Sequence, residues 1–216
     1  MLPAPAPDAS DDPRRRGLLE AAITVFTRFG FRKTSMDEVA RAAQVSRQAL
    51  YLHFENKEEL FRAAVNHAIA SALAAAVGRL RDTALPLEAR LVQAFDDWMG
   101  RYVGTLGADA ADLAQAASGL LGQLLAEQEA RFTEALAKTL STSRLAAAYK
   151  PAGLNARQLA ETLQATARGL KHTSGSRDAF VRGVTIAVKA LCAPLGARQN
   201  PKHDSKQDSK DGGHES

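Results

Sequence analysis

Between Phe31 and Leu60 the chain runs FRKTSMDEVARAAQVSRQALYLHFENKEEL, and the punctuation of this stretch confines it to short helices. Ser35 followed by Glu38 makes a capping box: the serine hydroxyl accepts from an orphan backbone N–H, and the glutamate reaches back to the serine amide. A helix is therefore expected from about Met36. Met36, Val39, Ala40 and Ala43 fall at i, i+3, i+4 and i+7, the spacing of one buried face. Gln44-Val45 interrupts that rhythm, and Ser46, a good N-cap, reopens a helix through Arg47, Gln48, Ala49, Leu50 and Tyr51. Asn56 and Glu59 repeat the capping-box spacing and open a longer helix with Lys57 in its first turn. Two helices joined by so short a turn cross steeply, so the second projects from the body as in a helix-turn-helix.

That second helix divides by face. Val45, Leu50 and Phe54 can point inward, which leaves Ser46, Arg47, Gln48, Tyr51 and His53 outward. Arginine grips guanine bidentately, glutamine pairs with adenine, and tyrosine, serine and lysine bond phosphate oxygens. Lys57 and the free amides at the start of its helix suit a phosphate. Each polar residue taken singly has the ordinary reading of a solvated surface; the constellation favours DNA.

The segment GLLEAAITVFTRFGFRKTSMDEVARAAQVSRQALYLHFENKEELFRAAV resembles the amino-terminal DNA-binding domain of the TetR family of bacterial one-component regulators, over roughly residues 14–65. The resemblance rests on Phe29-Gly30 after the first helix, on Thr34-Ser35-Met36 with Val39-Ala40, and on Val45-Ser46 with Leu50-Tyr51, His53-Phe54, Lys57-Glu58 and Leu60. Gln44 departs from it, standing where glycine is usual; it is expected to take the left-handed backbone at a modest cost or to tighten the turn differently.

The resemblance implies an all-α fold: an N-terminal three-helix helix-turn-helix head, joined by a long helix to a C-terminal helical ligand-binding and dimerisation domain. It implies double-stranded operator DNA as partner, with contacts from Thr34, Ser35, Ser46, Arg47, Gln48, Tyr51, His53 and Lys57. It also implies a homodimer through the last two helices, about residues 155–193, and an unidentified small-molecule effector that releases the DNA.

Composition agrees with helices. Hydrophobic residues make up 45% of the 216, alanine and leucine dominate, and no strand is visible as a run of period two. Net charge is +4, but residues 1–67 hold ten Lys/Arg against nine Asp/Glu, so the placement of charge, not its total, carries the DNA reading. Cys192 stands alone, which rules out an intrachain disulfide framework; at the end of an apolar helix it is read as packing before redox sensing. Neither a secretory signal nor an uninterrupted apolar span long enough for a membrane is evident, and a cytoplasmic location is expected.

Four regions follow: a disordered N-terminal arm, 1–11; a helix-turn-helix DNA-binding domain, 12–58; a helical ligand-binding and dimerisation domain, 59–196; and a polar, charge-balanced, disordered tail, 197–216. Asp12-Pro13 starts the first helix, with Leu18, Ala22, Val25, Phe26 and Phe29 as its buried stripe and Arg14 to Arg16 as solvated or DNA-backbone residues. The fourth helix runs from Lys57 to about Leu80. Pro86 precedes a fifth, striped by Leu87, Leu91, Phe95, Trp98, Met99 and Tyr102. A short helix near Asp109–Ala117 and a long one from about Leu120 to Tyr149 come next. Asn155 and Gln158 then cap a helix faced by Leu159, Leu163, Ala167 and Leu170, and Phe180, Val184, Ala187, Val188 and Leu191 stripe the last, before Pro194. Gly169, Gly183, Ala187 and Ala190 would let two copies approach closely.

Aromatic residues at helical spacing are more often core than ligand box. Even so, Phe95, Trp98, Met99, Tyr102 and Phe132 make the best pocket wall, with Gln123, Gln128 or His67 as polar contacts for an apolar or aromatic molecule. No metal site and no cofactor are expected, and no catalytic residue is assigned: H-E-x-x-H, P-loop, G-x-S-x-G and dinucleotide glycine patterns are all lacking, and Asp96-Asp97 reads as surface. A sequence-specific repressor is the leading reading. Transcriptional activation and ligand-independent architectural DNA binding remain alternatives.

Overall fold

The computed structural model of the chain describes residues 12–104 and 110–196. The N-terminal arm, the tail, and the segment around Gly107 and Asp109 lie outside the described residues. All described secondary structure is helical: α1 (Pro13–Phe29), α2 (Met36–Ala42), α3 (Arg47–Tyr51), α4 (Lys57–Arg81), α5 (Leu87–Trp98), a 3₁₀ turn (Gly100–Tyr102), α6 (Ala110–Ser141), α7 (Arg144–Tyr149), a 3₁₀ turn (Lys150–Ala152), α8 (Ala156–Thr173) and α9 (Arg177–Gly196).

Two cores share two long helices. The head core gathers Leu18, Ala22 and Phe26 of α1, Met36 and Val39 of α2, Leu50 and Phe54 at α3, and Leu60, Phe61, Ala64 and Val65 of α4. Leu121 of α6 completes it. The body core takes Ala76 and Leu80 from the far end of α4, then Leu91 and Phe95 of α5, Phe132, Leu136 and Leu140 of α6, Leu163 and Ala167 of α8, and Phe180, Val184 and Val188 of α9. The head's apolar contacts therefore run past residue 58 to Val65 and take in part of α6. α4 meets the length and composition of a membrane span, contrary to the sequence reading. In this fold it is the strut between the cores, packed on α1, α5 and α6.

Several helix boundaries differ from expectation for local reasons. α6 is one helix of 32 residues, so Ser118-Gly119 does not divide it. It stops at Ser141 because Ser141, Thr142 and Ser143 turn their hydroxyls onto the carbonyls of Lys138 and Leu140, and Ser143 then caps α7. α5 ends at Trp98. Gly100 follows in a place where a Cβ would collide with the Asp96 carboxylate, which is held bidentately by Arg177 of α9 at 2.7 Å on both oxygens. Asp96 and Asp97 are thus clamps and not idle surface: Asp97 accepts from Arg79 of α4 at 3.0 Å. α9 runs on through Pro194, beyond the expected stop. Phe29 leaves the buried stripe of α1; it is 41% exposed, under the Arg28 guanidinium.

Candidate DNA-reading head and effector core

The predicted caps fix the reading unit. Ser35 N–H donates to Glu38 Oε2 at 2.7 Å, and Glu38 N–H to Ser35 Oγ at 3.3 Å, closing the box and holding the Glu38 carboxyl below its usual range. α2 ends in a Schellman pair, with Val45 N–H on Ala40 O at 3.0 Å and Gln44 N–H on Arg41 O at 3.2 Å. Gln44 sits at φ 57, the left-handed of the two outcomes expected of it in glycine's place. Ser46 Oγ then caps Ala49 N–H at 3.1 Å and starts α3. The cap of α4 is half of what the sequence suggests. Asn56 Oδ1 accepts from Glu59 N–H at 2.8 Å, but the Glu59 carboxylate reaches one residue further, to Glu55 N–H at 2.7 Å.

Leu50 and Phe54 are fully buried, and Val45 half so; Ser46, Arg47, Gln48, Tyr51 and His53 are exposed. Arg47 rests on Asp37 at 3.1 Å and over the Tyr51 ring at 5.4 Å. An exposed pair of this kind is worth about 0–1 kcal/mol, so the guanidinium can leave it for a base at little cost.

Three members of the expected contact set have other employment. Thr34 is 2% exposed and its hydroxyl donates to Gly30 O at 2.7 Å, so this side chain fastens the α1–α2 loop and does not face outward. Lys57 donates to Phe31 O at 3.1 Å and Arg32 O at 3.4 Å, with its ammonium 4.6 Å from the Phe31 ring centroid. Phe31 in turn packs on Phe61 and Phe26 at 4.9 and 6.1 Å. This lysine-topped aromatic cluster fixes the loop to α4. Its sequence signal was the trio Phe26, Phe31 and Phe61 around the Lys57 cap. Ser35 is exposed but spent on its capping box.

In the body, Phe132 centres the aromatic group, with the Phe95 ring edge-on at 5.3 Å and the Trp98 ring stacked at 5.3 Å. Met99 is buried beside them in the same core, and Tyr102 is half-buried, burial raising its phenol pKa. Gln123 does not join. It is exposed, donates to Glu127 at 3.2 Å, and lies on the stretch of α6 that packs toward the head. His67 faces Glu20 of α1 at 3.9 Å, also away from the aromatic group.

The buried polar atoms here are mostly paired: Thr133 donates to Gln164 at 2.5 Å across α6 and α8. Among the described residues, Trp98 Nε1 is the buried side-chain polar atom without a partner. Gln128 is buried, and burial lowers the Lys171 ammonium pKa, opposed by Glu129. Cys192 is buried and its thiol is pushed up to about 11, the state of a packing residue and not of a reactive thiolate. Among the described residues no three His, Cys, Asp or Glu side chains gather as metal ligands.

A capped α2, a tight turn and an α3 anchored by Leu50 define a helix-turn-helix DNA-binding head on an all-α body. Residues 18–64 match the family model for bacterial regulatory proteins of the tetR family. The match covers the head, under a quarter of the chain. Over 47 residues it is 49% identical to the probable acrEF/envCD operon repressor of Escherichia coli, covering 22% of this chain and 21% of that one. Over 72 residues it is 39% identical to the transcriptional activator FasR of Mycolicibacterium smegmatis, covering 33% of each. The chain thus aligns with a third or less of these relatives' lengths. Solved structures share the whole fold: a TetR-family regulator from Mesorhizobium loti matches at TM-score 0.63 and 21% identity, covering 87% of this chain and 98% of its own. A transcriptional regulator from Saccharomonospora viridis, in complex with choline, matches at 0.61 and 19%, covering 81% and 95%.

Proposed function

We propose that the chain is a homodimeric, sequence-specific repressor that leaves a palindromic operator when a small molecule enters its body. The observation that carries this is the outward face of α3, with Arg47, Gln48 and Tyr51 exposed above a buried Leu50. A two-fold protein suits a two-fold operator. Support for the dimer comes from α8 and α9, where a Cβ added at Gly169 would meet nothing within 4 Å, Ile186 is 69% exposed and Ala190 is exposed. Gly183, assigned with them by sequence, serves a different contact: a Cβ there would lie 2.8 Å from Leu170 of the same chain.

The effector core is the Phe95–Trp98–Met99–Phe132 group, with Tyr102 at its edge. An unpaired buried indole N–H costs roughly 1–3 kcal/mol, which a ligand acceptor would recover. The choline complex of the Saccharomonospora viridis neighbour supports small-molecule binding in this fold. A ligand that prefers the non-binding state would tilt α4 and change the spacing of the two α3 helices, which must sit about 34–36 Å apart to enter successive major grooves. Activation is the second reading, favoured by the FasR match. Genome-wide mapping of bound DNA, with transcript levels in a deletion strain, separates the two. Bound promoters whose genes rise on deletion support repression, genes that fall support activation, and uniform occupancy would leave only an architectural binder.

A further inference from the structure

Leu52 is 80% exposed, a large apolar side chain left in solvent next to the reading helix. It continues the helical backbone at φ −68 and ψ −22, and its N–H bonds Gln48 O at 3.1 Å, one turn back. Leu50 fixes the inward direction, being fully buried. At about 100° per residue, Gln48 and Leu52 then fall about 20° to either side of the line opposite Leu50, whereas Tyr51 and Ala49 lie about 80° from that line and Arg47 further still. The two exposed positions opposite Leu50 on this wheel therefore carry one amide and one isobutyl group, the latter also bordering the groove between α1 and α3 beside Ala49 and His53. Isolated surface leucines are common and need no explanation. This one occupies the axis along which α3 would enter a groove.

The geometry points to Leu52 as a sequence-reading residue that packs on the C5-methyl of a thymine, beside an adenine paired to Gln48. The major groove presents that methyl only on T, and apolar side chains recognise it by contact while glutamine takes adenine bidentately. This assignment rests on the DNA-reading role proposed above for α3. It also gives the exposed leucine a use that neither the head core nor the body core supplies.

Removing one methyl tests it. Full-length protein is titrated at one fixed salt concentration against its selected duplex, taken from a random-sequence pool, and against copies in which each thymine in turn is replaced by deoxyuridine. Wild type is expected to lose roughly fourfold in affinity per head at one thymine of each half-site, the transfer value of one methyl group, and to ignore the others. In Leu52→Ala that thymine-to-deoxyuridine difference disappears, and in Leu52→Gln it does so as well. Indifference of wild type to every replacement overturns the assignment, as does a Leu52→Ala protein that keeps the difference. If Leu52→Ala melts early, Leu52→Gln, which keeps the side-chain length, decides in its place. If no duplex is enriched at all, the DNA-reading role fails first and this residue's part falls with it.

Discussion

Leu121→Ala tests how the body reaches the head. Leu121 belongs to α6, whose C-terminal half builds the body core, yet its side chain is 6% exposed and lies among Leu18, Phe61 and Val65 of the head core. Leu-to-Ala changes at buried sites cost about 2–5 kcal/mol; Leu124 and Leu125 flank this one and can lean into the space, so about 2 kcal/mol is expected. For a chain of this size each kcal/mol moves the midpoint by about 2–4 °C, giving a fall of roughly 4–8 °C. Trp98 is the sole tryptophan and reports the body, while far-ultraviolet circular dichroism reports every helix. Wild type is expected to show coincident transitions. In the variant the dichroism loss begins first, because the head has lost its contact with α6 while the Trp98 environment is intact. A midpoint within about 1 °C of wild type would refute the coupling, since a real contact of this burial must register.

Lys57→Ala removes two hydrogen bonds and a ring contact, so it should destabilise the head by about 1 kcal/mol and weaken binding to all DNA alike, leaving the preferred sequence unchanged in selection experiments. Trp98→Phe should cost little stability, because it deletes the unpaired indole N–H, whereas Phe132→Ala should cost about 3–5 kcal/mol in denaturant titration. Cys192 should resist iodoacetamide until the chain is denatured. Its folded pKa of about 11 stands above the unfolded value of 9.0, so the stability it contributes is present below pH 9 and lost as pH rises toward 11; a Cys192→Val chain should show less of that alkaline loss.

The head was legible because its signals are local. Serine, asparagine and glutamate at fixed spacing state where helices start, and the apolar stripe of α2 states which way it faces. The glycine usual at Gln44 narrows that residue to a left-handed backbone or a differently tightened turn, and the first is found. What the sequence could not show were partnerships across the chain. Lys57 stands in a phosphate-binding position by spacing, but the carbonyls of Phe31 and Arg32 claim it, and that depends on how the α1–α2 loop folds back. Thr34 belongs to a motif that suggests contact with DNA, yet its hydroxyl closes on Gly30. Gln123 is a polar side chain on the same helix as Phe132, but it lies more than two turns away and belongs to the head-facing part. Asp96 and Asp97 looked idle because their partners, Arg177 and Arg79, are distant in sequence.

On the function proposed above, the outward face of α3 reads a defined DNA sequence as one half of a two-fold pair. Selection of bound duplexes from a random-sequence pool by the full-length protein tests it most directly. The expected product is an enriched inverted repeat whose half-site centres lie about 10 base pairs, or a multiple of it, apart, with adenine and thymine where Gln48 and Leu52 enter. A pool that stays random after repeated rounds, despite a folded protein, would contradict it.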